Sequence, residues 1–162
     1  MSRTTFSGPI KSGTNRYNPY QNVGTTVLTQ EVPFTYDATL TQNVTFYIPA
    51  GSRIVNIFVD VITAYNSATS ATLTVGKTSG GTEYASGVNA KTTGRTTPTF
   101  TTTQLTNFQS TPIDISSQTA SNNGASSAIV VTVTSVGQPT AGTGFVTISY
   151  VQTDDRSAAS AQ

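Results

Sequence analysis

The chain has 162 residues, room for one domain and little more, and a formal net charge of +1 from 8 basic and 7 acidic side chains. That balance gives no electrostatic reason to expect nucleic acid or an anionic membrane as a partner. With no cysteine and no histidine, disulfides, thiolate metal sites and the Ser-His-Asp and Cys-His catalytic arrangements are excluded.

Residues 1–24 read as an extended N-terminal arm. Gly8, Pro9, Gly13, Pro19 and Gly24 punctuate it, and no alternation is sustained. Its apolar and aromatic residues, Phe6, Ile10, Tyr17 and Tyr20, are interspersed with the cations Arg3, Lys11 and Arg16, and it carries no acid. Anchors of this kind on an extended backbone suit docking onto another protein's surface. The alternative is packing against the chain's own domain.

The body spans residues 25–153. Thr25 to Glu31 and Phe34 to Asp37 read as two strands. Asn43 to Ile48 alternates, with Val44, Phe46 and Ile48 on one face and Thr45 and Tyr47 on the other. The turn Ile48-Pro49-Ala50-Gly51 follows. Arg53 to Ala64 is the strongest strand. Val55, Ile57, Val59 and Val61 form one apolar face. Ile54, Asn56, Phe58, Asp60 and Ile62 form the other. This second face is too apolar for free solvent, so Ile54, Phe58 and Ile62 are expected at a contact with another layer or subunit.

Beyond the polar loop Tyr65 to Ser70, Ala71, Leu73 and Val75 alternate with Thr72 and Thr74 as a half-buried strand. Gly80-Gly81 marks a turn. Thr82 to Gly94 is irregular, with a short strand expected near Tyr84. Pro98 to Thr103 and Pro112 to Ile115 read as further strands, and Asn123-Gly124 as a turn. Ala128 to Val136 and Gly144 to Gln152 are expected to close the fold as a pair, joined by a Gly/Pro loop. Residues 154–162 form a small polar tail.

Composition agrees with this pattern. The chain holds 33 Thr and 18 Ser against 3 Lys and 2 Glu. Threonine suits a pleated surface, whereas Lys and Glu are the usual residues of exposed helices. Eight to ten short strands separated by turn signals, with no convincing helix, predict an all-β fold. We expect a single antiparallel β-sandwich of jelly-roll type with an extended N-terminal arm. Charged residues make up only 9% of the chain, against about 25% in ordinary soluble domains. A hydroxyl surface with little self-repulsion favours packing against neighbours, as in shells and oligomers.

Chemistry is sparse. Lys11, Lys77 and Lys91 sit in no Ser–Lys motif, and no phosphate-cradling glycine loop is present. Glu31, Asp37, Asp60, Glu83 and Asp114 offer carboxylates, but nothing singles out a glycosidase pair. Asp60 interrupts an apolar strand, and its expected role is structural, paired with Arg53 or Arg95. Asp154-Asp155 lacks the further oxygen ligands of a calcium loop. No enzyme activity and no cofactor are expected. No leader or membrane span is apparent: Met1 to Gly13 is polar, and the apolar run Ile54 to Val61 is too short to cross a bilayer.

The stretch Phe6-Ser7-Gly8-Pro9-Ile10-Lys11-Ser12-Gly13-Thr14 resembles the start of small virion proteins of tailed bacteriophages. Ile48-Pro49-Ala50-Gly51-Ser52-Arg53-Ile54 is similar to a recurring segment in that group. So are Asp60-Val61-Ile62-Thr63-Ala64-Tyr65-Asn66-Ser67 and Ala71-Thr72-Leu73-Thr74-Val75-Gly76. The resemblance covers about Phe6 to Gly94. It implies a head-decoration (cement) protein, often a trimeric jelly roll seated on the capsid lattice, with no catalytic residues. The expected partner is the major capsid protein, bridged at the outer surface of the head by a homotrimer made in the host cytoplasm. Its contacts would be the arm residues Arg3, Phe6, Ile10, Lys11, Arg16, Tyr17 and Tyr20. The alternative is a tail-fibre or baseplate jelly roll that binds host surface glycan, with Tyr65 and Tyr84 stacking on sugars.

Overall fold

The computed structural model describes residues 26–49, 52–109 and 126–152. The arm, the tail and the expected strand Pro112 to Ile115 lie outside the described residues. Eight strands and one helix follow in order: β1 (Val27–Thr35), β2 (Thr41–Pro49), β3 (Ser52–Thr63), β4 (Ser70–Gly76), β5 (Ala85–Asn89), β6 (Gly94–Thr96), α1 (Thr102–Gln109), β7 (Ser126–Val136) and β8 (Thr143–Gln152). They form an antiparallel β-sandwich, as the strand spacing predicts. One sheet has the order β1-β8-β3-β6 and the other β2-β7-β4-β5. The ladders β1–β8, β2–β7, β3–β6 and β4–β5 are all antiparallel and nested. The chain is thus one long hairpin of four strand pairs, rolled so that successive pairs lie in alternate sheets.

Alternation decides which residues enter the core. Val44, Phe46 and Ile48 of β2 turn inward, as do Ala71, Leu73 and Val75 of β4, while Thr45 and Tyr47 face out. They meet Ile129, Val131 and Val133 of β7. From the other sheet come Phe34, Ile57, Val59, Val146 and Ile148. A buried Leu- or Ile-sized side chain contributes about 1.5–3 kcal/mol relative to exposure, which makes this inter-sheet layer the main stabilising element.

Four expectations are corrected. First, the two N-terminal strands are a single strand, β1. Pro33 does not break it because β1 is an edge strand, where a missing N–H is tolerated.

Second, β7 and β8 do not pair with each other. Each is central, β7 between β2 and β4 and β8 between β1 and β3, so residues 137–142 arch between the sheets. Gly137 (φ 87°) and Gly142 (φ 148°) supply positive φ at the two ends of the arch. At Gly142 the ring of Tyr65 lies where a β-carbon would project.

Third, the strand expected at Pro98 to Thr103 does not form: residues 98–101 belong to no element, and helix α1 begins at Thr102. Its N-terminus is a reciprocal cap. Gln104 N–H donates to Thr101 Oγ1 (3.3 Å), and Thr101 N–H donates to Gln104 Oε1 (2.9 Å). The Gln104 amide also donates to Thr82 O and Ser86 Oγ, which ties the helix to the β5 region. Phe108 packs edge-on to Phe100 at 4.9 Å and tilted against Tyr84 at 6.4 Å.

Fourth, β3 does not alternate throughout. Its register against β8 shifts between Ile54 and Asn56. This bulge turns Ile54 into the core, 5% exposed, and Val55 out, 51% exposed.

Candidate functional site

The strand charges divide unequally between the sheets. The strands β2, β4, β5 and β7 contain no Asp, Glu, Lys or Arg at all. Glu31, Arg53, Asp60 and Arg95 all belong to the sheet β1-β8-β3-β6. Its outward face is therefore where charge and exposed apolar surface meet.

Register places the residues of that face. Asp60 lies between Phe145 of β8 and Arg95 of β6, and Phe58 lies opposite Thr147, which pairs with Glu31. The Arg95 guanidinium is held as a flat plate. Nε donates to Asp60 Oδ1 (2.8 Å) and Nη2 to Asp60 Oδ2 (2.9 Å), with the guanidinium carbon 5.6 Å from the Phe58 ring centroid. A bidentate bond and a neighbouring ring together restrict a side chain that otherwise has many rotamers. Its side chain is still 66% exposed, against 17% for Asp60. The result is a pre-organised planar contact of the kind found at interface centres. Ile62 is exposed at the far end of β3, and Val55 is exposed at the bulge.

Of the residues expected at a subunit contact, Phe58 and Ile62 thus lie on this outer face. Ile54 does not: the bulge commits it to the core. The arm residues Arg3, Phe6, Ile10, Lys11, Arg16, Tyr17 and Tyr20 lie outside the described residues. Of the two arginines open to Asp60, the ladder selects Arg95, while Arg53 pairs across from Val151. The sequence reading missed Phe145. Its alternation with the buried Gly144 and Val146 is the signal that places it outward.

The two tyrosines suggested for sugar stacking are buried. Tyr65 donates to Gln42 Oε1 (3.1 Å) and packs on Phe34 at 6.2 Å, and burial pushes its hydroxyl up to about 12. Tyr84 sits beside Phe108, with its hydroxyl also pushed up to about 12 by burial and, to a lesser degree, by the Glu83 charge. Lys91 donates to the carbonyls of Ser67 (2.7 Å) and Thr69 (3.4 Å), a loop-fastening role. Among the described residues no three acidic side chains gather as metal ligands, and no helix is long and apolar enough to cross a membrane.

The hydrogen bond from Arg95 and its positive charge hold the Asp60 carboxyl below its ordinary value, against an opposing effect of burial. A depressed folded-state pKa contributes stability above the unfolded value, near 3.9, and loses it as acid titrates the folded carboxylate. Asp60→Asn should therefore melt at a lower temperature than the parent at pH 7. The difference should narrow as the pH falls below about 4. A gap that stays constant across a pH series of melts would remove the ion pair from the account of stability.

No family model, no curated protein and no solved structure matches this chain.

Proposed function

We propose that the chain is a non-enzymatic structural virion protein. In this reading it is a capsid decoration (cement) protein that binds the outer surface of a tailed-phage head and bridges major capsid subunits. The observation that carries the reading is the sheet β2-β7-β4-β5, in which no strand residue is charged. Soluble proteins ordinarily keep charge on exposed strands, and a surface without it is suited to lying against other protein. The nested strand pairing is that required of a jelly roll, the fold the phage resemblance implies.

In the proposed assembly the sandwich forms a homotrimer through the outer face that bears Phe58, Arg95 and Ile62. The uncharged sheet lies on the capsid, and the arm docks there through Phe6, Ile10, Tyr17 and Tyr20, with Arg3, Lys11 and Arg16 beside them. Interfaces of permanent assemblies bury on the order of 2,000 Å² or more, which a sheet face and an arm together can supply. The glycan-binding alternative is not favoured, because Tyr65 and Tyr84 are core residues.

Cryo-electron microscopy of the source particle tests the reading. Threefold density of this sandwich on the outside of the head is expected. Density for isolated monomers would remove the trimer, and density on the tail would remove the decoration role.

A further inference from the structure

We infer that the outer edge of β2 is a self-pairing edge, which joins the β2 of a second copy in an antiparallel, two-fold contact. The inference does not depend on the virion reading.

A sandwich of two open sheets has four edges, here β1, β6, β2 and β5. An edge strand presents unpaired N–H and C=O groups, and proteins guard such edges with charge, proline, bulges or brevity. Three of the four are guarded. The strand β1 carries Glu31 and Pro33. The strand β6 has 3 residues, one of them Arg95. The strand β5 has 5 residues, with Gly87 at φ 68° and a shifted register against β4.

The strand β2 has none of these devices before its last residue. It runs for 9 residues without a charge, its only proline is the terminal Pro49, and its register with β7 is unbroken from Thr41 to Pro49. Among the described residues, no backbone group outside the β7 ladder bonds to it.

The chemistry that recognises such an edge is another extended backbone, and symmetry favours the strand's own copy. A two-fold contact sets a strand's middle residue against itself. The middle of β2 is Thr45, and the pairs beside it are Val44 with Phe46 and Asn43 with Tyr47. On the core side Val44 meets Phe46 and Gln42 meets Ile48, on the outer side hydroxyl and amide groups meet, and Tyr47 is 57% exposed and available. The same operation on β1, also 9 residues long, would set Glu31 against Glu31, and like charges placed directly opposite are unfavourable. The chain's own undescribed segments are poorer strand partners: 1–25 carries Gly8, Pro9, Gly13 and Pro19 and no sustained alternation, and the expected strand Pro112 to Ile115 is short, opens on a proline and holds Asp114. The edge contact leaves the outer face of the other sheet free.

The full chain contains no cysteine, so a single introduced one reports cleanly. Under mild oxidation, Thr45→Cys should form a disulfide-linked dimer about tenfold faster than Glu31→Cys, because a disulfide needs α-carbons within roughly 7 Å. In sedimentation experiments the parent chain should self-associate, and Thr45→Lys should weaken that association about tenfold by opposing two ammonium groups. Thermal melting of both variants should stay near that of the parent, because Thr45 is exposed. Equal crosslinking at the two positions, or unchanged association of Thr45→Lys, would overturn the proposal. So would association that survives Thr45→Lys but fails in Phe58→Lys, which places the contact on the other sheet. Crosslinking of Thr45→Cys only to a foreign protein would assign the edge to a different strand and overturn it equally.

Discussion

If the chain decorates a capsid as proposed, deleting residues 1–13 is expected to weaken its binding there by about two to four powers of ten while leaving the sandwich folded. The deletion removes Phe6 and Ile10, the two most apolar anchors of that stretch, together with Arg3 and Lys11. Burying a side chain of Phe or Ile size is worth about 1.5–3 kcal/mol. Losing two of them therefore costs about 3–6 kcal/mol, at about 1.4 kcal/mol per tenfold in affinity. The charges add less, because salt screens exposed ion pairs. Pro9 restricts the backbone and so lowers the entropy lost on docking, an advantage that goes with the deletion. The body should melt as before, since its first strand begins at Val27. Binding to capsids that lack the protein, measured beside a circular dichroism melt, separates the outcomes. A truncated chain that fails to fold would make the arm part of its own core. A folded chain that binds unchanged would move the anchors to the sandwich.

The bulge in β3 makes the second prediction, which concerns two adjacent residues. Ile54→Ala should destabilise the fold by about 2–5 kcal/mol, the range for removing a buried Ile side chain and leaving a cavity. For a chain of this size that lowers the melting temperature by roughly 5–15 °C. Val55→Ala, at an exposed position, should change stability by no more than about 0.5 kcal/mol. Simple alternation along Arg53 to Ala64 demands the reverse, with Val55 in the core and Ile54 outside. Urea unfolding of the two variants distinguishes the cases, and a larger loss at Val55 would show that β3 alternates without a bulge.

The same pair shows where a one-dimensional reading stops. Ile54 and Val55 are both β-branched and apolar, so neither composition nor period tells which one enters the core. The choice is made by the pairing of β3 with β8, whose register shifts between Ile54 and Asn56. From Ile57 onward alternation resumes, and Ile57, Val59 and Val61 are buried as the pattern predicts. The helix α1 is a different case, because its signal was present in the sequence. Thr101-Thr102-Thr103-Gln104 matches a capping box, but a run of β-branched threonines weighs the local propensity toward a strand. What settles the matter is tertiary: the Gln104 amide reaches Thr82 and Ser86, and Phe108 reaches Tyr84.

The candidate site was legible in part for a related reason. Phe58 and Ile62 follow from alternation alone. Asp60 in an apolar strand signals that a cation must be near, but choosing Arg95 over Arg53 requires the β3–β6 ladder. Tyr65 and Tyr84 lie among polar loop residues in sequence and read as exposed. Each is buried because distant segments close over it, Gly142 and Gln42 at Tyr65 and Phe108 at Tyr84.

By itself, the sequence determined that this protein is an all-β sandwich, with inward rows on β2 and β4 and few charges along its strands. Those are properties of residue type and of a period of two, and they need no knowledge of which strand lies beside which. Only the tertiary structure decided that β7 and β8 part into opposite sheets, that Ile54 turns inward and that Arg95 pairs with Asp60 beside the Phe58 ring. Among the described residues it also left β2, alone among the four edges, without charge, bulge or internal proline. Those outcomes depend on pairing partners many residues apart. The free energy of a strand comes mostly from its neighbours on the sheet and across the core, so its place there cannot be read from its own residues.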